Sequence, residues 1–164
     1  MKKKYIISAL LLAIGFILHS IVPGFFGMKF DLLITFLVIG ILLEPEVKNA
    51  LLVGLLGGIL TALTTTFPGG QIPNILDKIL TALVVVFLAK NLSESRIKVY
   101  LISLIGTFIS GASFLFFALM MTGLPVPYST LLLSVVIPTA LVNMVVTGIV
   151  YKAVLMAQKA VKTA

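Results

Sequence analysis

The residues best suited to chemistry crowd into one stretch, Thr64-Thr65-Thr66-Phe67-Pro68-Gly69-Gly70-Gln71-Ile72-Pro73-Asn74-Ile75-Leu76-Asp77-Lys78. Asn74, Asp77 with Lys78, and Thr81 recur at i, i+3/i+4 and i+7, the spacing of one helix face. A carboxylate and an ammonium side by side at a helix start could hold a zwitterion, each on the group of opposite charge. Each residue also has a plainer reading. Asn74 could N-cap the helix, with Asp77 near its third position favouring the dipole. Lys29 and Asp31 flank another apolar run, where they could reach a ligand or serve as interfacial anchor and N-cap. Thr139, Asn143 and Thr147 form one ridge at i, i+4 and i+8, so Asn143 could face a ligand or bond between helices. His19 is the only histidine. Without carboxylate or Cys spacing it is no metal site and reads as a hydrogen-bonded helix-end residue.

Other chemistries are missing. There is no Cys, which removes disulfides, thiolate metal sites and cysteine nucleophiles together. No G-x-x-x-x-G-K-[ST], H-E-x-x-H or G-x-S-x-G occurs, so the chain carries no ATPase motif and no assembled catalytic set. Neither enzyme activity, metal nor cofactor is expected.

The elements that must position the polar residues are apolar. Of 164 residues 60% are hydrophobic and only 10% charged, and the mean hydropathy is +1.25. A soluble domain carries about a quarter charged residues, so most of this exterior must face lipid. The apolar runs cover about 5–22, 31–43, 49–67, 75–89, 99–122 and 129–157, broken by Pro, Gly and charged residues. Period-two alternation is absent, so the runs read as helices and not as barrel strands. Residues 1–164 form a single domain, an all-α integral membrane protein of six spans. Lys2, Lys3, Lys4 and the apolar run after them read as a retained first helix, since no A-x-A cleavage pattern follows.

Threading six spans puts Lys2, Lys3, Lys4, Lys48, Lys90, Arg96, Lys98, Lys152, Lys159 and Lys162 on one side and only Lys29 and Lys78 on the other. By the positive-inside rule this places both termini in the cytoplasm and the chain, multi-pass, in the cell membrane. The net charge of +7 belongs to this pattern; nucleic acid would need a contiguous basic surface. The second and fourth runs, about 13 and 15 residues, reach only about 20–23 Å. That leaves room for an outward-facing pocket roofed by loops 23–30 and 67–74, where backbone can be irregular only if it is buried or lines a cavity. Small residues make two packing seams, Ala50, Gly54, Gly58 and Ala62 on the third helix and Ser103, Thr107 and Gly111 on the fifth. Ala9-x-x-x-Ala13 is a shorter seam on the first.

The loop 62–78, together with His19-Ser20-Ile21, Pro23, Gly27-Met28-Lys29, Asp31 and Gly40-Ile41-Leu42-Leu43, resembles the TrpP family. That family comprises tryptophan-specific substrate-binding (S) subunits of energy-coupling factor (ECF) transporters. One departure is Phe30, where a Pro commonly follows the Lys. The resemblance implies a six-helix S-component bundle that binds tryptophan from outside. It further implies docking, through an Ala-x-x-x-Ala motif matched by Ala9 and Ala13, on a transmembrane coupling subunit driven by two ATPase subunits. Such a pocket needs an apolar slot and a zwitterion clamp. Phe25, Phe26, Phe67, Met120 and Met121 are candidates for the slot, and Lys29, Gln71, Asn74, Asp77, Lys78 and Asn143 for the polar contacts. An S subunit for a vitamin or other aromatic solute is the nearest alternative, because a shared fold does not fix the substrate. A self-sufficient carrier would favour internal symmetry, and none is visible.

Overall fold

In a computed structural model the chain is described for residues 2–95 and 97–163. The side chains of Lys2, Lys3, Lys4, Phe25, Val161, Lys162 and Thr163, and all of Arg96, lie outside the described residues. So the slot role of Phe25 and the part of the charge pattern carried by these Lys and Arg residues have no structural counterpart. The elements are α1 (Lys2–Ile21), a ribbon of β1 (Gly24–Phe25) and β2 (Met28–Lys29), α2 (Leu33–Leu43), α3 (Val47–Thr64), α4 (Gln71–Asn91), α5 (Lys98–Met121), α6 (Tyr128–Leu131), a π-helical turn (Leu132–Val136) and α7 (Ile137–Thr163).

Four segments are long and apolar enough to cross a membrane: Val47–Thr64, Gln71–Asn91, Lys98–Met121 and the rod Tyr128–Ala160. Tyr5–Ile21 and Leu33–Leu43 are shorter apolar helices. Exposed Leu, Ile, Phe and Met side chains cover all the long helices, as expected where lipid replaces water. The chain is an all-helical, multi-pass membrane protein with one small ribbon added.

The ribbon was not legible as a strand pair. Gly24 pairs with Lys29 and Phe25 with Met28, which leaves Phe26 and Gly27 as a two-residue turn at φ 51° and 81°. Positive φ at both central positions marks the type I′ hairpin, which glycine tolerates and phenylalanine rarely adopts. Thr66 Oγ1 donates to Gly27 O at 2.9 Å, so the ribbon is tied to the loop between α3 and α4.

Helix α2 has 11 residues, about 16 Å of rise against a hydrocarbon core of about 30 Å. The expected short second helix is therefore present, and Leu33 to Ile41 are buried throughout. The fourth helix is not short. It begins at Gln71, has 21 residues, and takes in Pro73 and Asn74 from the expected loop 67–74. Proline is tolerated in a first turn, where its missing N–H has no partner in any case.

The seam on α3 does what its spacing implies. A Cβ on Gly54 would lie 2.7 Å from Ala82 Cβ and 2.9 Å from Lys78 O, and one on Gly58 would lie 2.8 Å from Ile75 Cα. The α3 and α4 backbones thus touch beside the polar stretch, which fixes where Asn74, Asp77 and Lys78 stand. Beneath them Leu37, Val38, Ala50, Val53, Val85 and Ile102 belong to one dry core.

The last rod is interrupted for a covalent reason. Pro138 has no N–H for the carbonyl of Ser134 and its ring crowds that carbonyl. Just before it, Ile137 N–H reaches back to Leu132 O, the i→i−5 bond of a π turn.

A buried ion cluster as candidate binding site

Three charged side chains from two elements meet at one end of the bundle. Lys78 Nζ lies 2.7 Å from Asp31 Oδ2 and 2.7 Å from Asp77 Oδ1, and it donates to Ser110 Oγ at 3.2 Å. Ser110 Oγ donates in turn to Asp77 Oδ1 at 3.0 Å. Lys78 is 1% exposed and Asp77 0%. Burying charge is tolerated only with partners of this kind, and the pairs recover much of the desolvation cost. Two carboxylates against one ammonium leave an anionic surplus. Asp77 Oδ2 is a buried oxygen with no hydrogen-bond partner among the described residues.

Asp31 is held from three directions. Its Oδ1 accepts the N–H of Leu33 at 3.1 Å, at the start of α2. Its backbone O accepts from Asn143 Nδ2 at 2.8 Å. His19 Nε2 stands 3.9 Å from Asp31 Oδ1. The other ring nitrogen of His19 meets Thr64 Oγ1 at 2.8 Å, and that hydroxyl donates to Leu60 O. Nδ1 is then the donor, and Nε2 faces Asp31 with a lone pair or a proton, as the occupant demands.

Below the cluster a polar seam runs between α2, α5 and α7. Asn143 Oδ1 accepts from Thr35 Oγ1 at 3.2 Å. Thr147 Oγ1 donates to Thr35 Oγ1 and pairs with Ser103 Oγ at 2.7 Å. The ridge at 139, 143 and 147 is thus inward, as its period implied. Asn143 bonds between helices and does not line the cavity.

The cavity itself is lined on its polar side by His19, Asp31, Asn74, Asp77, Lys78 and Ser110, and on its apolar side by Met28, Ile34, Phe67, Gly111, Phe114 and Val136. Phe67 and Phe114 meet edge to face, with centroids 5.4 Å apart and planes at 88°. The ribbon and the α3–α4 loop form the roof expected of loops 23–30 and 67–74, through Gly27, Met28, Thr65 and Phe67. The cavity is partly open and narrow, with about 40 Å³ of free space, enough for water, which needs roughly 10–15 Å³ of such space per molecule. An ordinary small-molecule pocket has roughly 300–1,000 Å³. The site as folded is too narrow for an organic solute, which fits only when part of the wall moves.

The other expected site residues separate accordingly. Asn74 is buried but is no N-cap: α4 starts three residues earlier, and its Nδ2 donates to Gly70 O at 2.7 Å. Asp77 stands in the second turn, beyond the range of a first-turn dipole effect. Thr81 shares the buried face without reaching the cavity. Lys29 lines the cavity mouth while its Nζ donates to His19 O and Ser20 O, capping the end of α1. Gln71 is exposed. Phe26 is 54% exposed, Met120 71% and Met121 50%, so these three lie outside the cavity wall. His19, Ser110 and Phe114 line the cavity though the sequence had not assigned them there, and so does Asp31, for which the sequence left ligand and cap both open. The signal for Asp31 and His19 was their polarity at the ends of apolar runs. Among the described residues no group of His, Asp and Glu is arranged to hold a metal ion.

A zwitterion-sized set of charges beside an edge-to-face aromatic pair is chemistry suited to an aromatic amino acid. The family model described as tryptophan transporter TrpP matches residues 1–159. The "probable tryptophan transport protein" of Bacillus subtilis is 43% identical over 152 residues, 91% of this chain and 88% of the relative. Those of Clostridium acetobutylicum, 41% identical over 157 residues (93% and 91%), and Clostridium perfringens, 41% over 161 residues (90% and 88%), bear the same description. No solved structure matches the chain. The chain belongs to the TrpP family of tryptophan transporters.

Proposed function

We propose that this chain is the substrate-binding subunit of an ECF-type importer in the cell membrane, capturing tryptophan from outside for ATP-driven uptake by partner subunits. The observation that carries the binding half of this reading is Asp77 Oδ2, buried and without a hydrogen-bond partner among the described residues, on a residue that lines the same cavity as Phe67 and Phe114. The ammonium of the amino acid pairs with that oxygen as a charge-assisted hydrogen bond. Its carboxylate lies toward His19 and Lys78, and its ring toward Phe67 and Phe114. Entry requires the ribbon and the α3–α4 loop to part.

With no ATPase motif in the chain, the energy comes from a coupling subunit and two ATPases. The docking face is that of Ala9 and Ala13, both exposed on α1 among Ile6, Leu10, Ile14 and Ile17, which are 48–61% exposed. Both termini lie in the cytoplasm, as the Lys and Arg distribution requires.

The chain contains no Trp, so indole emission from washed, purified protein reports bound ligand. Tryptophan titrated into the protein should give a saturable, blue-shifted signal. Absence of saturation, with tight binding of a vitamin instead, would overturn the substrate. Purification without any coupling subunit, together with uptake by the chain alone in vesicles, would overturn the subunit role.

A further inference from the structure

Parting the roof admits a solute but does not widen the narrow cavity beneath it, and the apolar side shows where a ring finds room. Ile34 is fully buried within the dry core, and Phe67 and Phe114 brace each other edge to face. Val136 is buried in the same cluster as Phe67 and Phe114 but differs in its backbone. It is the last residue of the π turn, and it lies directly over Gly111: a Cβ there would be 2.6 and 2.7 Å from its two γ carbons. The Val136 side chain therefore fills ground that only a glycine leaves empty.

We infer that Gly111 is the floor of the slot for a planar aromatic ring and Val136 its movable cover, so that this pair sets the width of side chain the site accepts. The inference rests on the binding reading above and adds the residues that select among solutes. A π turn holds one residue more than the α-helix that would replace it. Passing that residue along the rod turns neighbouring side chains by about 100°. Such a turn takes Val136 off Gly111 and opens a flat gap against bare backbone, next to the Phe114 ring on the same helix. A ring lying flat there needs the backbone itself as its lower face. Any Cβ at position 111 lifts it off.

Four proteins test this: wild type, Gly111→Ala, Val136→Ala and the double variant, each titrated with tryptophan by indole emission, with phenylalanine as competitor and far-UV circular dichroism to confirm folding. Val136→Ala should bind tryptophan at least as tightly as wild type. Gly111→Ala should lose about tenfold or more, the cost of one misplaced methyl group in a pocket, and should lose less for the narrower phenylalanine. The double variant decides the matter. If Gly111 serves only as a notch for the Val136 side chain, shortening Val136 restores tryptophan binding in the double variant, and the inference is wrong. If the ring itself lies on Gly111, the double variant stays about tenfold weak even though the two γ-carbon contacts are gone and only a Cβ contact of 3.1 Å, which a shift of a few tenths of an ångström relieves, remains. Failure of wild type to bind tryptophan would instead overturn the binding reading, so the two failures are distinguishable.

Discussion

Replacing Lys78 by Met takes the one ammonium out of a cluster that holds two carboxylates. The methionine fills nearly the same space, so packing changes little and the loss is electrostatic. In the native protein Nζ serves Asp31 and Asp77 at 2.7 Å each and Ser110 at 3.2 Å. In the variant Asp77, whose side chain is 0% exposed, and Asp31, at 18%, confront each other. Among the described residues the Ser110 hydroxyl and the Leu33 N–H remain to them, with His19 Nε2 3.9 Å from Asp31. Removing one partner of a buried pair costs about 3–5 kcal/mol. For a chain of this length that is on the order of 10 °C in thermal midpoint. The double variant Lys78→Met with Asp77→Asn removes the repulsion and should recover most of the loss, since deleting both partners costs far less than deleting one. Far-UV circular dichroism melts in one detergent, with all three proteins side by side, give the readout. A Lys78→Met protein that melts within a degree or two of wild type would show that the ammonium is neither dry nor paired as described.

Asp77→Asn alone keeps the shape and leaves Lys78 paired to Asp31, but it removes the charge offered to the solute's ammonium. Tryptophan affinity should fall by about 30-fold or more, since truncating a buried charge pair costs roughly 2–5 kcal/mol, as read by indole emission. Gly54→Leu drives a side chain into Ala82 and the carbonyl of Lys78; overpacking of about 1–3 kcal/mol should lower the melt and weaken binding together, because α4 carries the cluster. Ala13→Glu on the exposed face of α1 should abolish uptake in cells while leaving tryptophan binding by the purified chain unchanged; uptake that survives would exclude this docking surface.

Much of this arrangement could be read from local rules, and the rest could not for reasons that are equally physical. Helical period put Asp77 and Lys78 on one buried face and Thr139, Asn143 and Thr147 on one inward ridge. Gly54 and Gly58 announced a close helix contact because only glycine lets two backbones touch. The pairing of Asp31 with Lys78 was hidden, since periodicity relates residues within a helix and says nothing about partners on another. Asp31 looked like the N-cap of α2, a position Leu32 holds, although Asp31 does accept the Leu33 N–H; nothing local tells that its second oxygen reaches α4. The fourth apolar run starts at Ile75, because hydropathy does not mark the polar first turn of a helix, so Asn74 looked like a cap at a position that Gly70 holds. Met120 and Met121 misled differently. On α5 apolar residues surround the axis, as befits a helix bathed in lipid, and no hydrophobic face marks which side turns inward.

The most direct test of the binding account is a structure of the purified protein with 5-bromotryptophan, its bromine located by anomalous scattering. The account places the bromine within the cavity among Phe67, Gly111 and Phe114, with the ligand ammonium on Asp77 Oδ2. A bromine at the opposite end of the bundle, near Tyr100 and Lys152, or on the outer surface, would contradict it.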